Sequence, residues 1–212
     1  SGYLSQLSIS GDININSANI NHPDFPFPLT DVSGLVSYKD GTVEITSVTG
    51  KAETGFFNIN GNIEDVIIKP YLNLALKIDK LALATINQKY PGLNANGTVS
   101  IKTDIGGFYD QPFAVFSLET SPGAVAGYNH EGMVLSGRLA NGVVEIENLL
   151  AGFMGAKVAA KGALALPDSL QQLLFPQEKL QRESFLEIDA LGLDPSVVFE
   201  SVATLQEKIP LN

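Results

Sequence analysis

Cysteine and tryptophan are absent from the 212 residues, histidine occurs twice, and charged residues make up only 17 %. Without cysteine there is no disulfide framework, no thiolate metal site and no cysteine nucleophile. Basic residues are scarce: 13 Lys and Arg stand against 23 Asp and Glu, a formal net charge of −10. The basic footprint of a nucleic-acid binder is missing, so nucleic acid is not expected as a partner. No stretch approaches the roughly 20 apolar residues of a spanning helix, and no charged-then-apolar leader opens the chain. It starts Ser1-Gly2 without Met, and the expectation is a segment of a longer protein whose anchoring part lies elsewhere.

Catalytic patterns are as sparse as charge. His22 and His130 have no second ligand at metal spacing and read as loop or strand-end residues. Asp12-Ile13-Asn14-Ile15-Asn16 mimics the start of a calcium loop, but Ser17 replaces the required Gly and Pro23 stands where the bidentate Glu belongs. Glu145 and Glu147, an acid/base pair in principle, read as a solvated outer face, since Glu145 recurs at Glu44. There is neither a Gly-x-Ser-x-Gly elbow nor a phosphate-cradling loop. The expectation is a protein that is not an enzyme and that needs no cofactor and no metal.

What is present is alternation, the mark of half-buried strands. Ile13, Ile15 and Ile20 are interleaved with Asn14, Asn16 and Asn21, and Phe57 and Ile59 with Asn58 and Asn60. Between Tyr71 and Leu83, Leu72, Leu74, Leu76 and Ile78 share one face. The phase slips at Lys80, which predicts a β-bulge there. Further strands are expected near 97–105, 113–120, 124–130, 133–139, 143–150, 153–166 and 184–193. Turns fall at Asp40-Gly41, Asn96-Gly97, Gly106-Gly107, Pro122-Gly123 and Asn141-Gly142. Helical patterns are few: a turn at Ala84 to Lys89, a Pro-broken stretch from Ser169 to Glu183, and Asp194 to Lys208 with Asp194 as N-cap and Pro195 at the first helical position.

The sequence also repeats itself at about 100 residues. Gly41-Thr42-Val43-Glu44-Ile45 recurs as Gly142-Val143-Val144-Glu145-Ile146, and Ile78-Asp79-Lys80-Leu81-Ala82-Leu83 as Ile188-Asp189-Ala190-Leu191-Gly192-Leu193. Two units, 1–95 and 96–212, of one continuous sheet are expected, with neighbouring repeats of the same chain beyond them. Segment 167–183 interrupts the second unit and reads as an amphipathic plug, a docking element or a surface excursion.

Two stretches carry a family resemblance. Leu29-Thr30-Asp31-Val32-Ser33-Gly34-Leu35-Val36 with Gly41–Ile45, and Gly142-Val143-Val144-Glu145-Ile146-Glu147-Asn148-Leu149 with Gly152, Gly155 and Gly162, resemble the AsmA/TamB-type repeat. Ser121-Pro122-Gly123-Ala124-Val125-Ala126-Gly127 tilts the likeness toward the TamB branch. The resemblance implies an all-β fold, a long antiparallel sheet curled into a taco-like groove, in a periplasmic protein anchored in the inner membrane of a double-membraned bacterium. It further implies a conduit for phospholipid acyl chains toward the outer membrane and, in the TamB branch, an outer-membrane β-barrel partner. The alternative is a scaffold that pairs with client strands in outer-membrane or autotransporter assembly. The residues expected to line the groove are Val43, Ile45, Phe57, Ile59, Leu72, Leu74, Leu76, Ile78, Val144, Ile146, Val158, Leu186 and Ile188. An ordinary closed core is the competing account of the same apolar face.

Overall fold

The computed structural model describes residues 9–22, 27–88, 91–125, 127–153, 155–165 and 184–191. The strands are β1 (Ser10–Ile20), β2 (Leu29–Lys39), β3 (Thr42–Ala52), β4 (Gly55–Glu64), β5 (Tyr71–Ala82), β6 (Thr98–Phe108), β7 (Phe113–Thr120), β8 (Gly123–Val125), β9 (Tyr128–Ala140), β10 (Val143–Phe153), β11 (Ala156–Ala165) and β12 (Phe185–Leu191). Two short 3-10 helices, Leu83–Gln88 and Pro91–Leu93, lie between β5 and β6. The segments 169–183 and 194–208, read as helical from the sequence, fall outside the described residues.

All twelve strands form one antiparallel sheet in chain order, with β8 set beside the start of β9. β1 and β12 do not pair with each other, so the sheet curls without closing. This is the all-β curled groove that the resemblance implies. Several strands are joined to their partners by turns of two to six residues, which hold sequence neighbours side by side; β7 pairs past the short β8 with β9. Asp40-Gly41 and Asn141-Gly142 both take positive φ at both positions, the left-handed pair that matches the twist of a two-residue hairpin.

Three expectations need correction. Gly106-Gly107 does not turn the chain but lies inside β6, and the turn follows at Tyr109–Pro112. The separate strands expected at 124–130 and 133–139 are instead the three-residue β8, a tight connection through Gly127 and the long β9. Pro122 has no N–H to donate, so the strand that begins as β7 breaks there and resumes as β8. The strands expected at 143–150 and 153–166 meet instead at Gly155, with Phe153 closing β10.

Lys80 takes φ +55, and the β5–β6 register shifts between Ile78 and Leu81, as the phase slip requires. Two more bulges do the same service. Register shifts between Ile45 and Val48 in β3, and between Ile146 and Leu149 in β10, return the apolar residues to the same face. Each bulge is flanked on both neighbouring strands by glycine: Gly34 and Gly61 beside the first, Gly137 and Gly162 beside the second. A Cβ on any of these four would fall on a backbone carbonyl of the adjacent strand, that of Ser47, Asn73, Glu145 or Phe185. The glycines thus mark two places where neighbouring backbones come too close for a side chain, as a sharply coiled sheet demands.

The strand ends form two rims. One carries the turns Asp40-Gly41, Asp65–Pro70, Tyr109–Pro112 and Asn141-Gly142; the other carries Glu53-Thr54, the β5–β6 connection and β8. At the second rim the β5–β6 connection folds onto the apolar face. Leu83 and Ala95 are buried there with Val32, Ala52, Phe57, Leu81 and Val99, and Leu93 packs against them. The connection is pinned by Asn87, whose side chain accepts from Ala95 N (2.7 Å) and donates to Ala95 O (2.9 Å). Thr85, nearly fully buried, donates to Glu53 at 2.6 Å.

Two outcomes are expected. Gly61, at φ +129, has Leu74 Cα 2.9 Å from where a Cβ would stand, so Gly61→Ala should destabilise the fold by about 2–4 kcal/mol, read as a lowered denaturant midpoint. Asn87→Ala strands the buried Ala95 N–H and C=O and should cost about 1–3 kcal/mol by the same measurement.

Candidate functional site: an uncharged inner face

Antiparallel partners share a face, so the register assigns every strand residue to one side. Phe57, Ile59 and Ile63 pair with Ile78, Leu76 and Leu72, and Gly61 pairs with Leu74. Across β3, Val43 pairs with Ile63 and Ile45 with Gly61. Eight of the residues picked from the sequence (Val43, Ile45, Phe57, Ile59, Leu72, Leu74, Leu76, Ile78) therefore form one block on β3–β5. The other five lie on the same face of β10–β12: Val144, Ile146 and Val158, then Leu186 opposite Gly162 and Ile188 opposite Ala160.

The strands between these blocks supply lining that the sequence reading did not name. Ile101, Ile105, Phe116, Leu118, Leu135 and Leu139 face the same way, through Ile78↔Ile101, Leu74↔Ile105, Thr103↔Phe116, Ile101↔Leu118, Leu118↔Leu135 and Leu139↔Val144. Their signal was the alternation already visible in 98–108, 113–120 and 133–139. At paired positions of this inner face, from β1 to β12, no Asp, Glu, Lys or Arg occurs. The polar side chains there include Tyr38, Thr103, Thr120 and His130.

Among the described residues, charge at paired positions is confined to the outer face. Lys51–Asp31 (2.8 Å), Lys77–Asp79 (2.6 Å) and Lys161–Glu187 (3.2 Å) are solvent-facing pairs, which contribute little stability each. Asn58 donates to Ser47, Asn60 to Asn58 and Asn62 to Glu64, a polar ladder along β4. Glu145 stands opposite Arg138 and Glu147 sits in the β10 bulge, both exposed. His22 follows β1 and His130 lies in β9, seven strands later in the sheet, its Nδ1 buried without a partner.

The inner face is not uniform. Phe57 is only 6 % exposed and belongs to the packed cluster beneath the β5–β6 connection, with Ile59 and Ile78 against it. Val43, Ile45, Leu72, Leu74, Leu76, Val144 and Val158 are half-buried. On β12, Leu186 and Ile188 are 43 % and 57 % exposed. At its paired positions a surface of this kind is built mainly from aliphatic and small side chains. It can hold alkyl groups, because apolar contact needs no directional partner.

No protein-family model matches the chain, and no solved structure matches it. A stretch of 107 residues, 50 % of the chain, is 26 % identical to Protein AsmA of Escherichia coli strain K12. That stretch covers 17 % of the relative, so the chain spans a small part of its length. The match to AsmA and the open, curled all-β sheet together support an AsmA-like family for this chain.

Proposed function

We propose that this chain is a segment of a lipid-transport conduit in the periplasm of a double-membraned bacterium. Its parent is anchored in the inner membrane, and the inner face carries phospholipid acyl chains between the inner and outer membranes. One observation carries this reading: a face that runs through eleven successively paired strands with no Asp, Glu, Lys or Arg at its paired positions among the described residues. An apolar surface of that extent, curled but not closed, calls for an apolar occupant, since a monomer tolerates exposed apolar patches of only a few hundred Å². Each methylene moved from water onto such a surface gains about 0.8 kcal/mol with no polar contact required. The work is transfer rather than catalysis, and the similarity to AsmA is in keeping with a cell-envelope role in lipid transport or outer-membrane assembly.

A second reading has its own observation. Among the described residues β1 and β12 each have one side with no partner strand, and an open edge can take a further strand from a neighbouring repeat or a client. The scaffold role, the TamB branch suggested by Ser121–Gly127 and its outer-membrane barrel partner stand on that edge and on the sequence likeness.

Leu74→Glu and Leu76→Glu should abolish co-purifying phospholipid in native mass spectrometry while the far-UV circular dichroism stays unchanged. Val115→Glu, on the outer face between Asp104 and Arg138, should leave the lipid in place. Full lipid occupancy in the two inner-face variants would sink the conduit, and binding of unfolded barrel peptides would then favour the scaffold.

A further inference from the structure

The two rims of the groove differ, and the difference is graded along the strands. On β2 the inner residues run from half-buried Tyr38 and Val36 to Val32, which is 1 % exposed. On β5 they run from half-buried Leu72, Leu74 and Leu76 to Leu81 at 7 %; on β6 from half-buried Ile105 to Val99 at 4 %. In each case burial deepens toward the rim where Leu83, Leu93 and Ala95 lie across the face. At that rim hydrogen bonds stitch the elements together: Leu83 N to Gly97 O, Asn96 N to Ala124 O, Ala82 N to Thr54 Oγ1 and Thr98 N to Ser121 Oγ. It is a capped rim.

The opposite rim carries apolar and amphipathic side chains that face solvent. Ile67 and Ile68 are 78 % and 84 % exposed at the tip of the β4–β5 turn, and Tyr109 is 62 % exposed on the next turn. The two turns are joined by Tyr109 N donating to Pro70 O at 2.8 Å. Tyr71 and Phe108, paired on the outer side of the same rim, meet edge to face at 5.2 Å, with the Lys69 ammonium 4.1 Å above the Phe108 ring. On the turns themselves, aliphatic tips and an amphipathic ring suit the boundary between an alkyl phase and water. The three turns between β2 and β7 at this rim carry Lys69 against Asp40, Asp65 and Asp110. That excess of carboxylates complements a head group bearing an ammonium and disfavours one with net negative charge.

We propose that phospholipids sit in this groove in one orientation, with zwitterionic, ammonium-bearing head groups at the open rim and tail ends abutting Phe57, Leu83 and Leu93 at the capped rim. The inference rests on the lipid reading above and adds polarity and a stop to it. The depth fits: from Leu72 to Ile78 the strand runs about 20 Å at ~3.3 Å per residue. A tail in a bilayer leaflet spans about 15 Å, half of the hydrocarbon thickness. Tails of ordinary length therefore fit within this depth, their ends pointing toward the cap and leaving it in place.

The test uses the full chain and vesicles of phosphatidylethanolamine carrying a photoreactive phosphatidylethanolamine. The diazirine sits either on the terminal tail carbon or beside the ester, and labelled peptides are mapped by mass spectrometry. The terminal probe should mark Phe57, Ile59, Ile78 and Leu93 severalfold over Val43, Ile63, Leu72 and Ile105, and the ester probe should reverse the ratio. Identical labelling by the two probes, or the reverse pattern, would overturn the orientation while leaving lipid binding intact. Labelling of the inner face by neither probe would remove the lipid reading and this inference with it. Equal labelling by a phosphatidylglycerol probe would overturn the head-group assignment.

Discussion

Antiparallel pairing puts a residue and its cross-strand partner on the same side of a sheet, so one apolar face can be built only if every strand enters the ladder in phase. In this chain the phase is held across eleven consecutively paired strands. A one-residue slip anywhere would bring a set such as Asn58, Asn60 and Asn62 inward and turn Phe57, Ile59 and Ile63 out. The rest of the architecture serves to keep that phase while the sheet bends.

Bending and phase conflict, because a strand that curves sharply needs an extra residue on its outer path. The bulges of β3, β5 and β10 insert that residue where an apolar interval lengthens from two to three, at Ile45 to Val48, Ile78 to Leu81 and Ile146 to Leu149. Curvature and register are thereby settled together. The glycines beside the β3 and β10 bulges accept the close backbone approach that follows. At one rim the β5–β6 connection completes a true core, whereas at the other the same face is left half-open. The packed cluster thus occupies one part of the depth of the apolar face, and half-buried side chains occupy the rest.

Much of this was legible in the sequence, because period-two alternation is a local signal and the tight turns are written in Asp-Gly and Asn-Gly. The Lys80 bulge was readable from a single phase slip within a long clean run. The bulges at Thr46-Ser47 and Glu147-Asn148 left the same three-residue interval, but in shorter apolar runs where it passes for ordinary irregularity. Gly106-Gly107 misled because a glycine pair signals a turn unless neighbouring backbone and the Phe113 ring already crowd the site, a tertiary fact. The cap was the larger omission. Leu83 and Leu93 stand in a stretch with no strong period, and that they fold onto the sheet depends on Asn87 and Glu53 reaching partners that local sequence does not reveal.

The four glycines at the folds have a further consequence. Because Gly34, Gly61, Gly137 and Gly162 set the approach of neighbouring backbones rather than of side chains, the curvature of the sheet is fixed by the main chain. The apolar face can exchange leucine for isoleucine or valine, and so reshape its surface, while the spacing of the strands beneath it stays the same.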